Sequence, residues 1–461
     1  MKASIKIIVK YFIGMVYLLL LSACNKFLDE RTSHSSKVPS ALSDLQALMD
    51  AEYVINLGGY PFLLEAWTDN YHIDSKRLSL MTSFEQSLYK FESPEIYPPS
   101  NLGVWSNSYK PIAISNIVLE NLKKISLAES EEGQNIKGQA LFMRAFGHFL
   151  LAQVFCLPYD KNNDNSGMGI PLRHTADANV ISTRSTIKET YEDILNDMQA
   201  ALKLIKENNG YPSRANKVAV YAALSRVYLA MELYKESEQA ASEALTLYSS
   251  LIDLNTMTNL DARIPYKTNN AETIFLACSG SSLVTQSKGS LVTEELLLMF
   301  EENDLRLRSY FMKEKDGGYS FKGDYAGIGS GTIFCGFTTS ELLLNRAECY
   351  VRSGELEKAR RDLNVLLKNR IDKASFKPIV ESDREKLLKI ILDERRKELI
   401  NRSARWLDLR RLNRDMRFKK TLVRTIIEDG TEKEYKLLPE SKNYVFKIPR
   451  QVIDLTGMPQ N

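Results

Sequence analysis

From Ala41 onward, apolar residues recur at helical spacing over most of the chain. Ser43 and Asp44 precede an apolar face at Leu45, Leu48 and Met49, the pattern of a helix start. Residues 105–123 carry Tyr109, Ile112, Ile117, Leu119 and Leu122. Residues 135–155 read as one long helix, with Ala140, Leu141, Met143, Ala145, Phe149 and Leu150, stopped at Leu157-Pro158. A polar loop, 160–186, surrounds Gly169-Ile170-Pro171-Leu172. Residues 185–206 are again helical, with Ile187, Tyr191, Ile194, Met198, Ala201, Leu202 and Ile205 on one face and Ser185 as the expected N-cap.

Two segments repeat a pattern. Residues 217–247 and 340–368 both read helix–turn–helix. In the first, Tyr221, Leu224, Ser225 and Tyr228 precede the turn, and Ser237, Ala241 and Ala244 follow. In the second, Leu343, Ala347 and Tyr350 precede Gly354, and Ala359, Leu363 and Leu366 follow. Ser225 and Ser237 are twelve apart, as are Ala347 and Ala359. At that spacing small residues let the two helices of a tetratricopeptide (TPR) hairpin touch. One such pair cannot bury its own face, so the other helices are expected to complete the stack.

The remaining segments are irregular and aromatic. Residues 53–99 hold Gly58-Gly59, Pro61, Pro94 and Pro98-Pro99 together with Trp67, Tyr71 and seven further Tyr and Phe. Residues 248–339 contain one short β-like run, 272–278, and a Gly-rich stretch, 316–336, bearing Tyr319, Phe321, Tyr325 and Phe334. The expected fold is mainly α with little β. Binding is expected on loops that a rigid helical scaffold holds in place.

The N-terminus changes this picture. Lys2, Lys6 and Lys10 precede an uncharged apolar stretch, 11–21, and then Leu21-Ser22-Ala23-Cys24. This is a secretory leader ending in a bacterial lipobox, too short for a convincing transmembrane helix. Diacylation at Cys24 buries many methylenes, each contributing about 0.8 kcal/mol, so two or more chains anchor stably. The expected organisation is a leader at 1–23, a lipidated start and tether at 24–40, and one helical domain at 41–461.

Composition then excludes several functions. At 44% hydrophobic and 26% charged, the chain is ordinary globular protein. Lys2, Lys6 and Lys10 account for its formal charge of +3, so the chain from Cys24 is balanced. That gives no electrostatic case for nucleic acid or an anionic membrane surface. Of the five cysteines, Cys156, Cys278 and Cys349 sit in apolar or helical runs and are expected as buried free thiols. No CxxC pair, HExxH, GxSxG or P-loop pattern occurs, so no metal, cofactor or catalytic residue is expected. His148, on a helix among apolar residues, is expected in the core.

Near the C-terminus Asp393-Glu394-Arg395-Arg396-Lys397-Glu398-Leu399 is followed by Arg405-Trp406-Leu407-Asp408-Leu409-Arg410-Arg411. Earlier come Cys24-Asn25-Lys26-Phe27-Leu28-Asp29, then Trp105 with Tyr109 and Asn116, then Gly138-Gln139-Ala140-Leu141-Phe142-Met143-Arg144-Ala145 and Gly169-Ile170-Pro171-Leu172. The chain closes on Phe446-Lys447-Ile448-Pro449 and Pro459-Gln460-Asn461. Together these resemble the SusD/RagB family of Bacteroidetes outer-membrane lipoproteins over nearly the whole length. Two features depart from it. Arg402 and Ser403 stand where the family usually has Glu-Gly, and the chain is shorter than many relatives.

The resemblance implies a TPR-based helical fold at the outer membrane, facing outside. It implies a SusC-like TonB-dependent β-barrel as partner, and no catalytic residues. The ligand it implies is an oligosaccharide or, in some relatives, a peptide; glycan is expected because the family binds it more often. A lipid-anchored TPR scaffold without nutrient binding is the alternative from another class.

Sugar rings offer apolar C–H faces to aromatic planes and hydroxyls to polar side chains. Trp105 and Trp406 fall in motifs that resemble family scaffold, which leaves Trp67 as the expected platform, with Asp69, Asn70 and Tyr71 as its companions. The competing reading puts Trp67 and Tyr71, four apart, on one apolar helix stripe. Tyr319, Phe321 and Tyr325 form the second candidate, unless that loop meets the barrel instead. The charged 394–411 block reads as structural. Glu394 and Glu398 share a helix face, Glu394 and Lys397 can pair, and Trp406 packs as core.

Overall fold

The computed structural model describes residues 39–280, 290–315, 317–322, 324–329 and 332–461. The leader, Cys24 and most of the tether therefore lie outside the described residues. The longest helix, Glu131–Phe155, starts where Ser130 accepts the Gly133 N–H at 3.1 Å, four residues before the expected start. Glu131 and Glu132 occupy its first turn, where the helix dipole favours negative charge. Beyond that turn it is buried on nearly every side, so other elements must cover it all round. Helices Gly103–Leu122 and Ile187–Leu204 cover it. Gly147 permits the first contact, since a Cβ there would meet Ile112 Cγ1 at 2.7 Å.

The Ile187–Leu204 helix is capped by Thr186 rather than Ser185. Thr186 and Glu189 exchange hydrogen bonds in a capping box. Ser185 instead donates to the Ile170 carbonyl at 2.7 Å, inside the small hairpin of Met168–Pro171 with Arg184–Thr186.

Helices Lys217–Ala230 and Tyr234–Leu247 form one hairpin, and Thr339–Ser353 and Leu356–Leu367 the other. The small residues meet as their spacing requires. Ser237 Oγ donates to the Ser225 carbonyl at 2.8 Å, and Ala347 and Ala359 are fully buried. The two hairpins also touch each other, and a polar thread joins them to the C-terminal motif. Asn345 donates to Ser225 Oγ at 3.1 Å, and Arg395 donates to Asn345 at 2.6 Å.

Residues 53–99 contain four short helices and two short strands, so they are more ordered than their Gly and Pro content suggested. A two-stranded sheet, Leu422–Glu428 with Thr431–Leu437, turns at Asp429-Gly430, both at positive φ. Asp-Gly is a strong hairpin signal, because both central residues of that turn need left-handed backbone. The residues from Leu42 to Asn461 form one compact unit. Cys156, Cys278, Cys335 and Cys349 are buried free thiols.

The charged C-terminal motif is buried and structural. Glu398, fully buried, meets Arg370 at 3.0 Å, Arg306 at 3.3 Å and Arg402 at 3.6 Å. Arg306 continues to Asp304 and Glu394, both at 2.7 Å, and Arg370 to Glu272. Glu394 pairs with Lys397 as its spacing suggested. Arg395 pairs with Asp408, and Arg411 with Glu348. Buried charges need partners, and here each cation finds a carboxylate. The network ties the irregular middle of the chain to the TPR-like helices. Trp406 is core: it stacks on Tyr444 with ring centroids 4.9 Å apart and donates to the Gln153 carbonyl.

Candidate functional site

The residues singled out around Trp67 are scaffold, and the expected platform there is corrected. Trp67 is 0% exposed, in contact with Phe446 (3.9 Å between centroids) and Trp406 (5.6 Å). An indole enclosed on all sides offers no face to a ligand. The helix-stripe alternative fails too, because Trp67 ends the short helix Leu63–Ala66 and Tyr71 lies in a strand. Asp69 takes a bidentate pair from Arg405 at 2.7 and 2.8 Å and is joined by Arg396 and Lys420. Burial alone would raise its pKa, but these cations outweigh burial and hold the carboxyl well below its usual range. Asn70 is buried between Glu65 and Arg396, and Tyr71 donates to Asn401 at 2.9 Å.

In the second candidate group Phe321 and Tyr325 are buried. Tyr325 donates to Glu272 at 2.8 Å, and its ring lies 3.5 Å beneath the Arg402 guanidinium. Only Tyr319 of the proposed aromatics keeps an exposed face.

The open aromatic surface is elsewhere. Trp105 and Tyr109, one turn apart on helix Gly103–Leu122, are half-buried, with ring centroids 5.1 Å apart. They line a cleft of about 630 Å³. Phe155 supports Trp105 edge-on at 4.9 Å, and Tyr109 donates to the Pro171 carbonyl at 3.0 Å. These contacts fix both rings. The opposite wall is apolar and wet: Val180, Ile181 and Leu455 are 46%, 67% and 81% exposed. Exposed aliphatic side chains beside half-open aromatic rings mark a binding surface rather than a core.

The 173–182 loop that forms this wall is held by side chains from three helices. Arg173 donates to the carbonyls of Asp177 and Val180 and to Ser182 Oγ, closing the loop on itself. Buried Asn116 donates to the carbonyls of Arg173 (3.0 Å) and Thr175 (3.2 Å). Arg144, from the Gly138–Ala145 motif, holds the Asn116 oxygen at 3.0 Å while paired bidentately with Asp197. His148 is buried as expected, and its Nε2 accepts the Arg173 N–H at 3.2 Å. Its Nδ1 lies 3.2 Å from Asp193. Burial lowers the His148 pKa, more than Asp193 restores it, so the ring is a neutral acceptor for the loop. The Arg144 and Asn116 motif residues thus position a binding wall as well as the scaffold.

This arrangement can grip the apolar face of a ring and orient it with a few polar groups. It has the size usual for small-ligand sites, about 300–1,000 Å³. Among the described residues no group of three His, Cys, Asp or Glu is placed to hold a metal. Nor is any described helix long and apolar enough to cross a membrane. Sequence reasoning passed over Trp105 because its motif marked it as scaffold. The signal that could have found it is the Trp105/Tyr109 pair on one turn of a helix whose other face carries the aliphatic residues.

Two family models match the chain. One, described as starch-binding and associating with the outer membrane, covers residues 26–229; the other, the SusD family, covers residues 325–461. No curated protein matches. Solved structures share the fold. A SusD superfamily protein from Bacteroides vulgatus is 19% identical, with 92% of this chain and 99% of that one aligned at a TM-score of 0.73. A SusD superfamily protein from Bacteroides thetaiotaomicron is 20% identical, with 91% and 99% aligned at 0.71. A SusD-like carbohydrate binding protein from Bacteroides vulgatus is 18% identical, with 91% and 97% aligned at 0.68.

Proposed function

Since the chain belongs to the SusD/RagB family of non-enzymatic binding proteins associated with the outer membrane, we propose that it captures oligosaccharide in the Trp105–Tyr109 cleft and delivers it to a SusC-like TonB-dependent β-barrel. Lipidation at Cys24 holds it at the outer membrane, on the outward side. The observation that carries the ligand reading is the half-open, rigidly backed Trp105–Tyr109 pair facing a 630 Å³ cleft. Aromatic stacking suits a sugar ring, and the side-chain hydroxyls of Ser106, Ser182 and Thr456 that also line the cleft suit its hydroxyls. The exposed Val180, Ile181 and Leu455 favour a second reading, a peptide whose apolar side chain enters the same cleft.

The test is Trp105→Ala in the mature chain, titrated against neutral oligosaccharides and short peptides by calorimetry. Loss of stacking should weaken the true ligand by about 1–3 kcal/mol, roughly 5- to 150-fold, while the fold persists. Unchanged affinity would remove the cleft from the proposal, and binding of peptides alone would replace saccharide with peptide. The transporter reading is tested separately, by gentle solubilisation of the outer membrane from the native host. A β-barrel recovered in near-equal amount supports it, and its absence leaves the lipid-anchored scaffold.

A further inference from the structure

The lining of the Trp105 cleft carries one charged side chain, Arg173, and no carboxylate. Charges taken out of bulk water are normally paired. Arg173 is half-buried, yet it forms no ion pair among the described residues. Its terminal nitrogens bond neutral groups only, the carbonyls of Asp177 and Val180 and, at 2.8 Å, Ser182 Oγ. Its Nε–H makes no hydrogen bond among the described residues and is not sealed inside the protein. A ligand can therefore reach this cation without displacing an acidic partner.

A second guanidinium adds to the first. Arg184 is half-buried and lines, with Arg173, an adjoining cavity of about 710 Å³ that shares the 173–182 loop with the cleft. It is held by the carbonyls of Gly169 at 2.6 Å and Phe155 at 3.1 Å, and it too forms no ion pair among the described residues. Burial lowers its pKa, and only Cys156 and Tyr109 oppose that, so no carboxylate balances its charge. Both arginines act on the Tyr109 hydroxyl. Burial raises the pKa of that hydroxyl, and Arg184 and then Arg173 draw it down. The Tyr109 end of the aromatic pair thus sits in a positive field.

The carboxylates nearby are engaged elsewhere. Glu189, which lines the adjoining cavity, accepts the Thr186 N–H at 2.8 Å. Glu120 accepts the Ala176 N–H at 2.8 Å, and Asp177 the Asn179 N–H at 2.9 Å. Asp193 lies between His148 and His174, at 3.2 and 3.0 Å. None of the four lines the Trp105 cleft. A neutral ligand there leaves Arg173 without a counter-charge, a cation is repelled, and an anion gains a charge-assisted hydrogen bond. We infer that the saccharide taken by the cleft is acidic, with a carboxylate or sulfate on or beside the ring that stacks on Trp105 and Tyr109, and that Arg173 pairs with that group. The inference rests on the saccharide reading of this cleft and adds the charge of the ligand.

The test titrates the mature chain by calorimetry with matched oligosaccharides that differ only in charge. Oligogalacturonides and mannuronate oligomers are paired with their methyl esters, and sulfated galactan oligomers with their desulfated forms. At least one acid should bind about 10-fold more tightly than its neutral counterpart, the effect of one hydrogen bond to a charged group. Added salt should narrow that gap. The uronate and sulfate pairs tell the two anions apart. Trp105→Ala should weaken both members of a pair, which ties the binding to the cleft. Arg173→Gln should cost the acid about 10-fold more than its neutral counterpart, and Arg173→Lys, which keeps the charge, should preserve part of the gap. Neutral members that bind as tightly as the acids, and lose that binding in Trp105→Ala, overturn the acidic assignment and leave the saccharide reading standing. An acid preference that survives Arg173→Gln overturns the part given to Arg173. Failure of every saccharide to bind withdraws the saccharide reading, and this inference with it.

Discussion

Ser403 stands where the family resemblance expects glycine, and the structure shows what that substitution does to the backbone. Its φ is +56°, in the left-handed region. An L-residue pays about 1–2 kcal/mol there relative to its preferred conformations. Its side chain is buried, and Oγ has no partner among the described residues, a penalty of about 1–3 kcal/mol. Ser403→Gly removes both terms. Against them stands the extra freedom of glycine in the unfolded chain, about 0.5–1 kcal/mol. The Ser403 N–H that donates to Glu65 at 3.1 Å is retained. The net expectation is a stabilisation of about 1–4 kcal/mol. Ser403→Ala keeps the left-handed strain and removes only the orphan hydroxyl, so it should fall between wild type and Ser403→Gly. Urea unfolding followed by far-ultraviolet circular dichroism and by tryptophan emission, with Trp67 and Trp406 as core reporters, measures both. A Ser403→Gly midpoint at or below that of wild type refutes the reasoning.

Trp67→Ala should cost about 3–5 kcal/mol of stability, since it empties a site enclosed by Phe91, Trp406 and Phe446. The thermal or urea midpoint reads this, and a specific affinity loss with an unchanged midpoint would count against it. Glu398→Gln should destabilise by about 3–5 kcal/mol at neutral pH, because three arginines lose their shared carboxylate. Burial would raise the Glu398 pKa, but Arg370, Arg402 and Arg306 hold it at about 2. Its contribution is therefore present above the unfolded value, about 4.3, and is lost as pH falls through about 2, so wild type and variant should converge in acid. Glu65 works in the opposite direction. Burial raises its carboxyl to about 7, more than Asn70 and Ser403 lower it. Its contribution is full below the unfolded pKa and is lost as pH rises through 7, by about 3 kcal/mol. Comparing urea midpoints at pH 5 and pH 8.5 should show that loss in wild type and a smaller one in Glu65→Gln; identical profiles would show that Glu65 does not titrate in this range.

What the sequence alone determined is the local and periodic part of this protein. Helical repeats at 105–123, 135–155 and 185–206, and small residues twelve apart in two hairpins, describe contacts within or between neighbouring helices. They were legible because the partner residues lie close along the chain. The charged 394–411 block was recognisable as structural, since helix spacing put its opposite charges together. The Asp429-Gly430 hairpin was present in the sequence as a turn signal, and only the observed left-handed backbone made it evident.

The tertiary structure decided which aromatic residues meet solvent. Trp67 looked free within a Gly- and Pro-rich region, yet Trp406 and Phe446, from the other end of the chain, enclose it. Trp105 looked like scaffold, yet it lines an open cleft with the 173–182 loop, which Arg173, Asn116 and His148 hold by its backbone. Periodicity states that a face is apolar. Whether that face is covered depends on long-range packing, in which distant segments compete for the same area, and no local pattern encodes the outcome.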